Sequence, residues 1–313
     1  MISNKHVSVL LTESIENLNI NPDGIYVDMT LGRAGHSYEI LSRLSSKGRL
    51  IAFDKDITAI NESEKILSKV SNNFTLIHSD FRLFKEKLTA LGVNSVDGIL
   101  FDLGVSSPQL DNIERGFSYK GDAPLDMRMD ESQSFSAYDV VNTYSEGELI
   151  RVFRDYGEEK FAKSIAHNIV KARSSSPIRT TSELTEIIKA SKPAKELAKK
   201  GHPAKQVYQA IRIEVNDELG ALKEALNDAL SMLNVGGRIV VISFHSLEDR
   251  IVKIAFKNAS SFKGNRLNDW KLPTLEDEPD YQLVGKMILP SEIEMENNPR
   301  SKSAKMRVIS KVK

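Results

Sequence analysis

The chain has 313 residues, enough for one large domain or two smaller ones, and its 40% apolar content can fill a sizeable core. Basic and acidic residues number 43 each, so net charge gives no whole-chain pointer to a polyanionic partner. The absence of cysteine excludes disulfides, a thiolate nucleophile and Cys-based zinc sites, and no apolar run approaches the ~20 residues a bilayer requires, so a soluble, cytoplasmic protein without a membrane partner is expected.

The spacing predicts a helix over 7–18, with Leu10, Leu11, Ile15 and Leu18 on one stripe and His6 beside it. Residues 25–27 read as a buried strand that stops at Asp28. Gly32, Ala34 and Gly35 then make a tight turn, and 37–44 reads as the helix that follows. Strand, small-residue turn and helix form a cradle for a nucleotide-like cofactor at the carboxyl edge of a parallel sheet. A dinucleotide site needs G-x-G-x-x-G and no nearby negative charge, because the backbone must approach a pyrophosphate. Here the third glycine position is Ser37, and Asp28 would repel phosphate but attract a cation. S-adenosyl-L-methionine carries a sulfonium and an ammonium and no phosphate. A second strand, 50–53, ends in Asp54, placed about 20 residues on to accept hydrogen bonds from ribose hydroxyls.

A helix follows over 58–70, a third strand over 74–78 and a fourth over 98–101, ending at Asp102. This alternation specifies a parallel sheet covered by helices, with functional residues at the strand ends: Asp28, Asp54, Asp80 with Phe81, and Asp102. Phe81 either covers an adenine or packs in the core.

After Asp102 the pattern breaks. Residues 103–111 are small and turn-forming, and 115–130 show no period although they hold Phe117, Tyr119, Leu125, Met127 and Met129. Such a stretch reads as a site-forming loop. From 145 to 190 the signals are helical only, interrupted at Tyr156-Gly157, with Thr180 and Glu183 spaced as a capping box. Residues 160–205 hold eleven Lys/Arg against three Glu, and 300–313 hold six basic residues and no acid; both are candidate phosphate-contacting surfaces or solvated basic faces. A helical region over 203–233 ends at Gly236-Gly237, and 238–242 is a fifth strand. One crossover helix normally joins such strands, so the intervening residues must form a separate helical domain. The expected division is 1–109 with 206–313, and 110–205 inserted. Residues 265–279 read as a surface loop; 281–287 and 306–312 suggest an antiparallel edge hairpin.

The motifs together are specific. They include His6-x-x-Val9-Leu10-Leu11, Asp28-x-Thr30-x-Gly32-Arg33-x-Gly35-His36-Ser37, and Asp97-Gly98-Ile99-Leu100-x-Asp102-Leu103-Gly104-Val105-Ser106-Ser107-Pro108-Gln109-Leu110-Asp111. Arg115-Gly116-Phe117-Ser118, Pro124-Leu125-Asp126-Met127-Arg128-Met129, His202-Pro203-Ala204, Ser243-Phe244-His245-Ser246-Leu247-Glu248-Asp249-Arg250 and Asn298-Pro299-Arg300 complete them. Nearly end to end, the chain resembles the RsmH (MraW) family of bacterial 16S ribosomal RNA cytosine-N4 methyltransferases.

The resemblance implies an α/β fold: a Rossmann-like, class I SAM-dependent methyltransferase sheet with an inserted all-helical domain between strands four and five. It implies S-adenosyl-L-methionine as methyl donor and, as acceptor, the N4 amine of a cytidine of 16S rRNA in the decoding region of the small ribosomal subunit. Carried over by motif, cofactor contacts fall on Ala34, Gly35, His36, Asp54, Phe81, Asp102 and Gln109, beside Asp28 and Gly32 of the turn. Two residues depart from the family pattern: Ala34 replaces a glycine, and Ser8 replaces a proline. Ala34 is a small change if its φ is negative and puts cofactor affinity in doubt if it is positive. A homodimer stays open.

The cytosine amine is a poor nucleophile because its lone pair is delocalised into the ring. Proton loss can follow methylation, so the site must supply in-line placement and acceptors that favour a pyramidal amine. The base must be unstacked and read on its Watson–Crick edge. Asp102 and the Ser106-Ser107 loop are the expected acceptors. His245 either contacts the nucleotide, takes up the released proton, or is a structural histidine; Asp126 and Arg128 order the loop or contact RNA. The six histidines lack metal spacing such as H-E-x-x-H. A nicotinamide oxidoreductase, a DNA amino-methyltransferase lacking its Pro-Pro-aromatic loop, and a non-catalytic rRNA-binding assembly factor are the competing readings.

Overall fold

The computed structural model describes residues 8–261 and 278–313. His6, Val7 and nearly all of the loop expected at 265–279 lie outside the described residues. In chain order the elements begin with α1 (Leu11–Leu18), β1 (Ile25–Asp28), α2 (Gly35–Leu41), β2 (Arg49–Asp54), α3 (Ile57–Leu67), β3 (Phe74–His78), α4 (Phe84–Ala90) and β4 (Val96–Asp102). Helices follow: α5 (Ser107–Asp111), α6 (Ala137–Thr143), α7 (Glu146–Asp155), α8 (Ala162–Arg173), α9 (Thr181–Ala190), α10 (Ala194–Leu197), α11 (Lys205–Asn216) and α12 (Glu218–Met232). The chain closes with β5 (Leu233–Ser243), α13 (Ser246–Ala259), β6 (Tyr281–Leu283), α14 (Glu292–Asn297) and β7 (Lys305–Lys311). The described residues fall into two compact units, one ending at Gly104 and resuming at Leu219, the other Val105–Glu218.

The first unit is built on a sheet of order β3-β2-β1-β4-β5-β7-β6. β1 to β5 are mutually parallel, and β7 runs antiparallel to both β5 and β6. Side chains alternate with the strand period of two. Val27, Ile51, Phe53, Ile99, Phe101, Ile239 and Val241 fill a core with Phe84 and Leu88 of α4, Leu222 and Leu226 of α12, and Val252 and Phe256 of α13. Tyr26, Leu50, Ala52, Leu100, Val240 and Ile242 fill a second core with Ile15 and Leu18 of α1, Ile40 and Leu41 of α2, and Ile60 and Leu67 of α3. Burial on both faces explains why these strands read as continuous apolar runs. The strand order turns back between β1 and β4, which places a topological switch point where Asp28 and Asp102 end their strands. The expected edge hairpin is an antiparallel pair, but α14 and a 3₁₀ turn at 299–303 separate β6 from β7, so no tight turn joins them.

The second unit is helical, with a core that includes Leu149, Phe153, Ile165, Ile169, Leu184, Ile188 and Ile211. It is wider than the 110–205 expected from the sequence. Val207, Tyr208 and Ile211 of α11 pack into this core, so the division falls at Glu218. The single helical region expected over 203–233 is two helices, because Asp217 takes a left-handed conformation (φ 46°) between α11 and α12.

The irregular stretch after α5 belongs to this unit. Phe117, Leu125 and Met127 are buried in its core. Asn216 accepts from Met129 N at 2.8 Å and donates to Met127 O at 2.8 Å. Arg115 donates to Arg128 O and Met129 O, and Arg128 grips Asp126 with two nitrogens. Asp126 and Arg128 therefore order the loop. No helix among the described residues is long and apolar enough to cross a membrane.

Candidate functional site

Three carboxyl groups end neighbouring strands of the sheet unit: Asp28 on β1, Asp54 on β2 and Asp102 on β4. Each apolar strand drives its carboxylate to the sheet edge, where nearby turns and the start of α2 supply hydrogen-bond donors to Asp28 and Asp54. Asp28 is buried, accepting from Thr30 N at 3.0 Å and Ser37 Oγ at 2.6 Å. The turn that carries Gly32 and Ala34 is thus tied back to the strand before it. Burial raises the Asp28 pKa. Asp54 accepts from Gly32 N at 2.8 Å and from Asp56 N at 2.9 Å. Desolvation pushes it up to about 6, with smaller contributions from the charges of Asp56 and Asp28.

Asp102 differs from the other two. Its side chain is 24% exposed, yet its Oδ1 is buried and accepts no hydrogen bond. Its pKa is raised well above the usual carboxylate range, by burial first and then by the charges of Asp28 and Glu248. An isolated buried carboxylate costs free energy unless a donor or cation meets it. Asp102 Oδ2 lies 3.5 Å from His36 Nδ1, and Asp102 N donates to Thr30 Oγ1 at 2.7 Å. His36 is buried, and its other ring nitrogen, Nε2, lies 3.1 Å from Val9 O. A carbonyl can only accept, so Nε2 carries the proton and Nδ1 turns a lone pair toward Asp102. Burial drops the His36 pKa to about 4, so the imidazole is neutral and supplies no counter-charge. His36 stays neutral, anchored to the Val9 carbonyl.

The glycine turn has a strained member. Ala34 is buried with φ 60° and ψ 20°, in the left-handed region. The condition that sequence reading set for Ala34 is met on its unfavourable side, so the substitution carries backbone strain. At Gly35 an added Cβ would stand 2.0 Å from Ser8 Oγ, so the serine hydroxyl would have to rotate away. Phe81 is partly buried, its ring edge-to-face with Phe101 at 5.8 Å between centroids. Asp80 is engaged locally: Lys55 Nζ sits 2.8 Å from its Oδ2, and its Oδ1 accepts from Arg82 N at 2.8 Å.

The residues after β5 form one cap. His245 is the N-cap of α13, its Nδ1 accepting from Glu248 N at 3.4 Å. Glu248 Oε2 accepts in return from Phe244 N at 2.7 Å and His245 N at 3.2 Å. His245 Nε2 faces Glu248 Oε1 at 3.1 Å, but at an angle too poor for a hydrogen bond. The ring's accepting nitrogen is spent on the cap, which is the structural role for His245.

Ser106, Ser107 and Gln109 belong to the helical unit. Ser106 is the N-cap of α5 and Gln109 its reciprocal partner, with Ser106 N donating to Gln109 Oε1 at 3.0 Å. Ser107 is buried. Within the same unit the basic stretch is less free than its composition implies. Lys192 is buried against Glu159 at 2.6 Å, Lys189 and Lys199 pair with Glu186 and Glu196, and Arg173 donates to the carbonyls of Val141 and Tyr144.

Sequence reasoning missed two residues. Thr30, which binds Asp102 N, was signalled by its place in the Asp28-x-Thr30 run. Glu248 was signalled by lying three residues after His245, the spacing of a capping box.

A family model described as the MraW methylase family matches residues 3–312. Among solved structures, the chain is similar to a Clostridium thermocellum protein described as an rRNA methylase, at 14% identity and TM-score 0.46, covering 98% of this chain and 99% of that one. It is similar to an rRNA methylase from Streptococcus thermophilus at 12% identity and TM-score 0.41, covering 97% and 94%. It is also similar to a Streptococcus mutans protein solved in complex with SAH, at 13% identity and TM-score 0.42, covering 98% and 99%.

Proposed function

The chain belongs to the MraW methylase family, and from that premise we propose that it transfers a methyl group from S-adenosyl-L-methionine to the N4 amine of a cytidine of 16S rRNA in the small ribosomal subunit, in the cytoplasm. The observation that carries this reading is the trio of carboxyl groups at the strand ends, one with a buried oxygen that nothing meets. S-adenosyl-L-methionine fits that chemistry, because it brings two cationic groups and two ribose hydroxyls and no phosphate. A pyrophosphate would meet Asp28, Asp54 and Asp102 as like charges. Asp54 is the ribose acceptor, and the turn of Gly32, Ala34 and Gly35, locked by Asp28, lets the backbone come close. Asp102 faces the cationic end, and Phe81 covers the adenine. The bound cofactor supplies an electrophilic methyl group.

The protein's own groups do the rest. Asp102 Oδ1, having no partner, accepts a hydrogen from the cytosine amine, which turns the nitrogen lone pair out of conjugation. Its raised pKa makes it a better proton acceptor than an ordinary carboxylate once the nitrogen has reacted. Ser106 and Ser107 come after Asp102 with Leu103, Gly104 and Val105 between, and are the second source of acceptors. His245, with Glu248, holds the turn after β5.

The test is labelled methyl transfer to small ribosomal subunits from cells lacking this protein, with the product mapped by mass. Wild type should methylate one cytidine at N4. Asp102→Asn should lower kcat by about 10²- to 10⁴-fold, and Ser106→Ala with Ser107→Ala should lower transfer while leaving cofactor affinity intact. A methyl group on DNA or on another atom of the base overturns the proposal.

A further inference from the structure

The helical unit holds a second chemically furnished hollow. An open cavity of about 400 Å³ is lined by Asp122, Ala123, Pro124, Tyr138, Arg179 and Thr180. The backbone around it is fixed. Leu125 N donates to Arg179 O at 3.1 Å, Tyr138 N donates to Leu125 O at 2.7 Å, and Thr181 N donates to Ala123 O at 2.8 Å. Tyr138 packs partly against the unit's core while lining the cavity. Asp122 is ionised, its pKa lowered by hydrogen bonds from Thr180 and Ser182. Arg179 is exposed, and among the described residues its guanidinium makes no ion pair. Four other basic groups between 160 and 205 are tied to carboxylates or carbonyls; Arg179 is not, and it shares the cavity wall with the ring of Tyr138.

Those groups are the components of a single-nucleotide site. A partly exposed aromatic ring offers a stacking face to a base. A free guanidinium suits a phosphate. Asp122, which also lines the cavity, would repel a phosphate, but it accepts from a ribose 2′-hydroxyl, the group that separates RNA from DNA. We propose that this cavity binds one unpaired ribonucleotide of the RNA substrate, with its base on Tyr138, its phosphate on Arg179 and its 2′-hydroxyl on Asp122. The proposal rests on the reading of the chain as an rRNA methyltransferase, and assigns it a substrate contact apart from the strand-end carboxylates.

The experiment is fluorescence anisotropy with full-length protein, a labelled single-stranded oligoribonucleotide, and the deoxyoligonucleotide of the same sequence. Tyr138→Leu, which keeps apolar bulk against the core, should weaken RNA binding about 5- to 100-fold. Arg179→Gln lies on the surface and should lower the salt slope by about one phosphate contact. Asp122→Ala should reduce the preference for RNA over DNA. Cofactor affinity and melting temperature, measured alongside, should match wild type for Arg179→Gln and Asp122→Ala. Wild-type affinity and salt slope in Arg179→Gln, with methyl transfer to rRNA intact, overturn this site but not the enzyme. Absence of methyl transfer by wild type overturns the enzyme reading itself.

Discussion

At the scale of single residues, the strand-end carboxyls are held in a state that suits a cation and not an empty site. Asp54 and Asp102 both have pKa values raised by loss of water. A bound cation favours the ionised form, so binding expels the protons that the free protein carries. Affinity for S-adenosyl-L-methionine should therefore fall as pH drops through about 6, the value for Asp54. Calorimetry in buffers of different ionisation enthalpy should show net proton release on binding; proton uptake, or pH-independent binding between pH 5 and 8, would contradict the assignment. Ala34 permits a sharper test. Its left-handed conformation costs roughly 1–2 kcal/mol, and its methyl group contributes about 0.8 kcal/mol of burial. Ala34→Gly should thus be neutral to mildly stabilising, by under about 1 kcal/mol. Ala34→Val, branched at Cβ in the same conformation, should destabilise more than its added burial offsets. Melting temperatures of the two variants decide it.

At the scale of elements, His245 acts through the start of α13. Asparagine is a favoured N-cap and alanine is not, and the loss of a capping side chain costs about 1 kcal/mol. His245→Asn should keep both stability and most of the turnover, whereas His245→Ala should lose about 1 kcal/mol with a matching fall in melting temperature. Equal and severe loss of turnover in both variants, without loss of stability, would make the imidazole a chemical participant. The same cap shows what is readable in a sequence and what is not. Asp28, Asp54 and Asp102 were legible because an apolar run that stops at a carboxylate marks a buried strand reaching the sheet edge. Thr180 with Glu183 was legible because serine and threonine caps have a fixed spacing to glutamate, and the structure shows that box. His245 and Glu248 have the same spacing, but histidine is not among the favoured caps, so its type points to chemistry while its geometry serves the backbone. Asp217 marks another limit. No glycine or proline announces the break between α11 and α12, since a left-handed aspartate makes it.

At the scale of the whole molecule, the sheet residues and the helical residues form cores with no member in common. The insertion was legible because one crossover cannot use so many residues. Its edges were not, because α11 has the same apolar periodicity whichever core it joins. Within the helical unit, Lys192 and Glu159 form an ion pair with side chains 6% and 1% exposed. Both are fully engaged, Lys192 Nζ also donating to Pro203 O at 2.7 Å and Glu159 Oε1 accepting from Phe161 N at 2.9 Å. Such a pair adds little over well-packed apolar residues, yet removing one partner strands a buried charge at about 3–5 kcal/mol. Glu159→Ala should therefore weaken the helical unit by that amount, while Glu159→Met with Lys192→Met should recover much of it. Hydrogen exchange locates the damage. Amides of α7, α8 and α9 should lose protection in the single variant, and those of β1, β2 and β4, which pack in separate cores, should keep it. Uniform loss across both sets would mean that the chain opens as one cooperative unit, and that the separation of cores has no energetic counterpart.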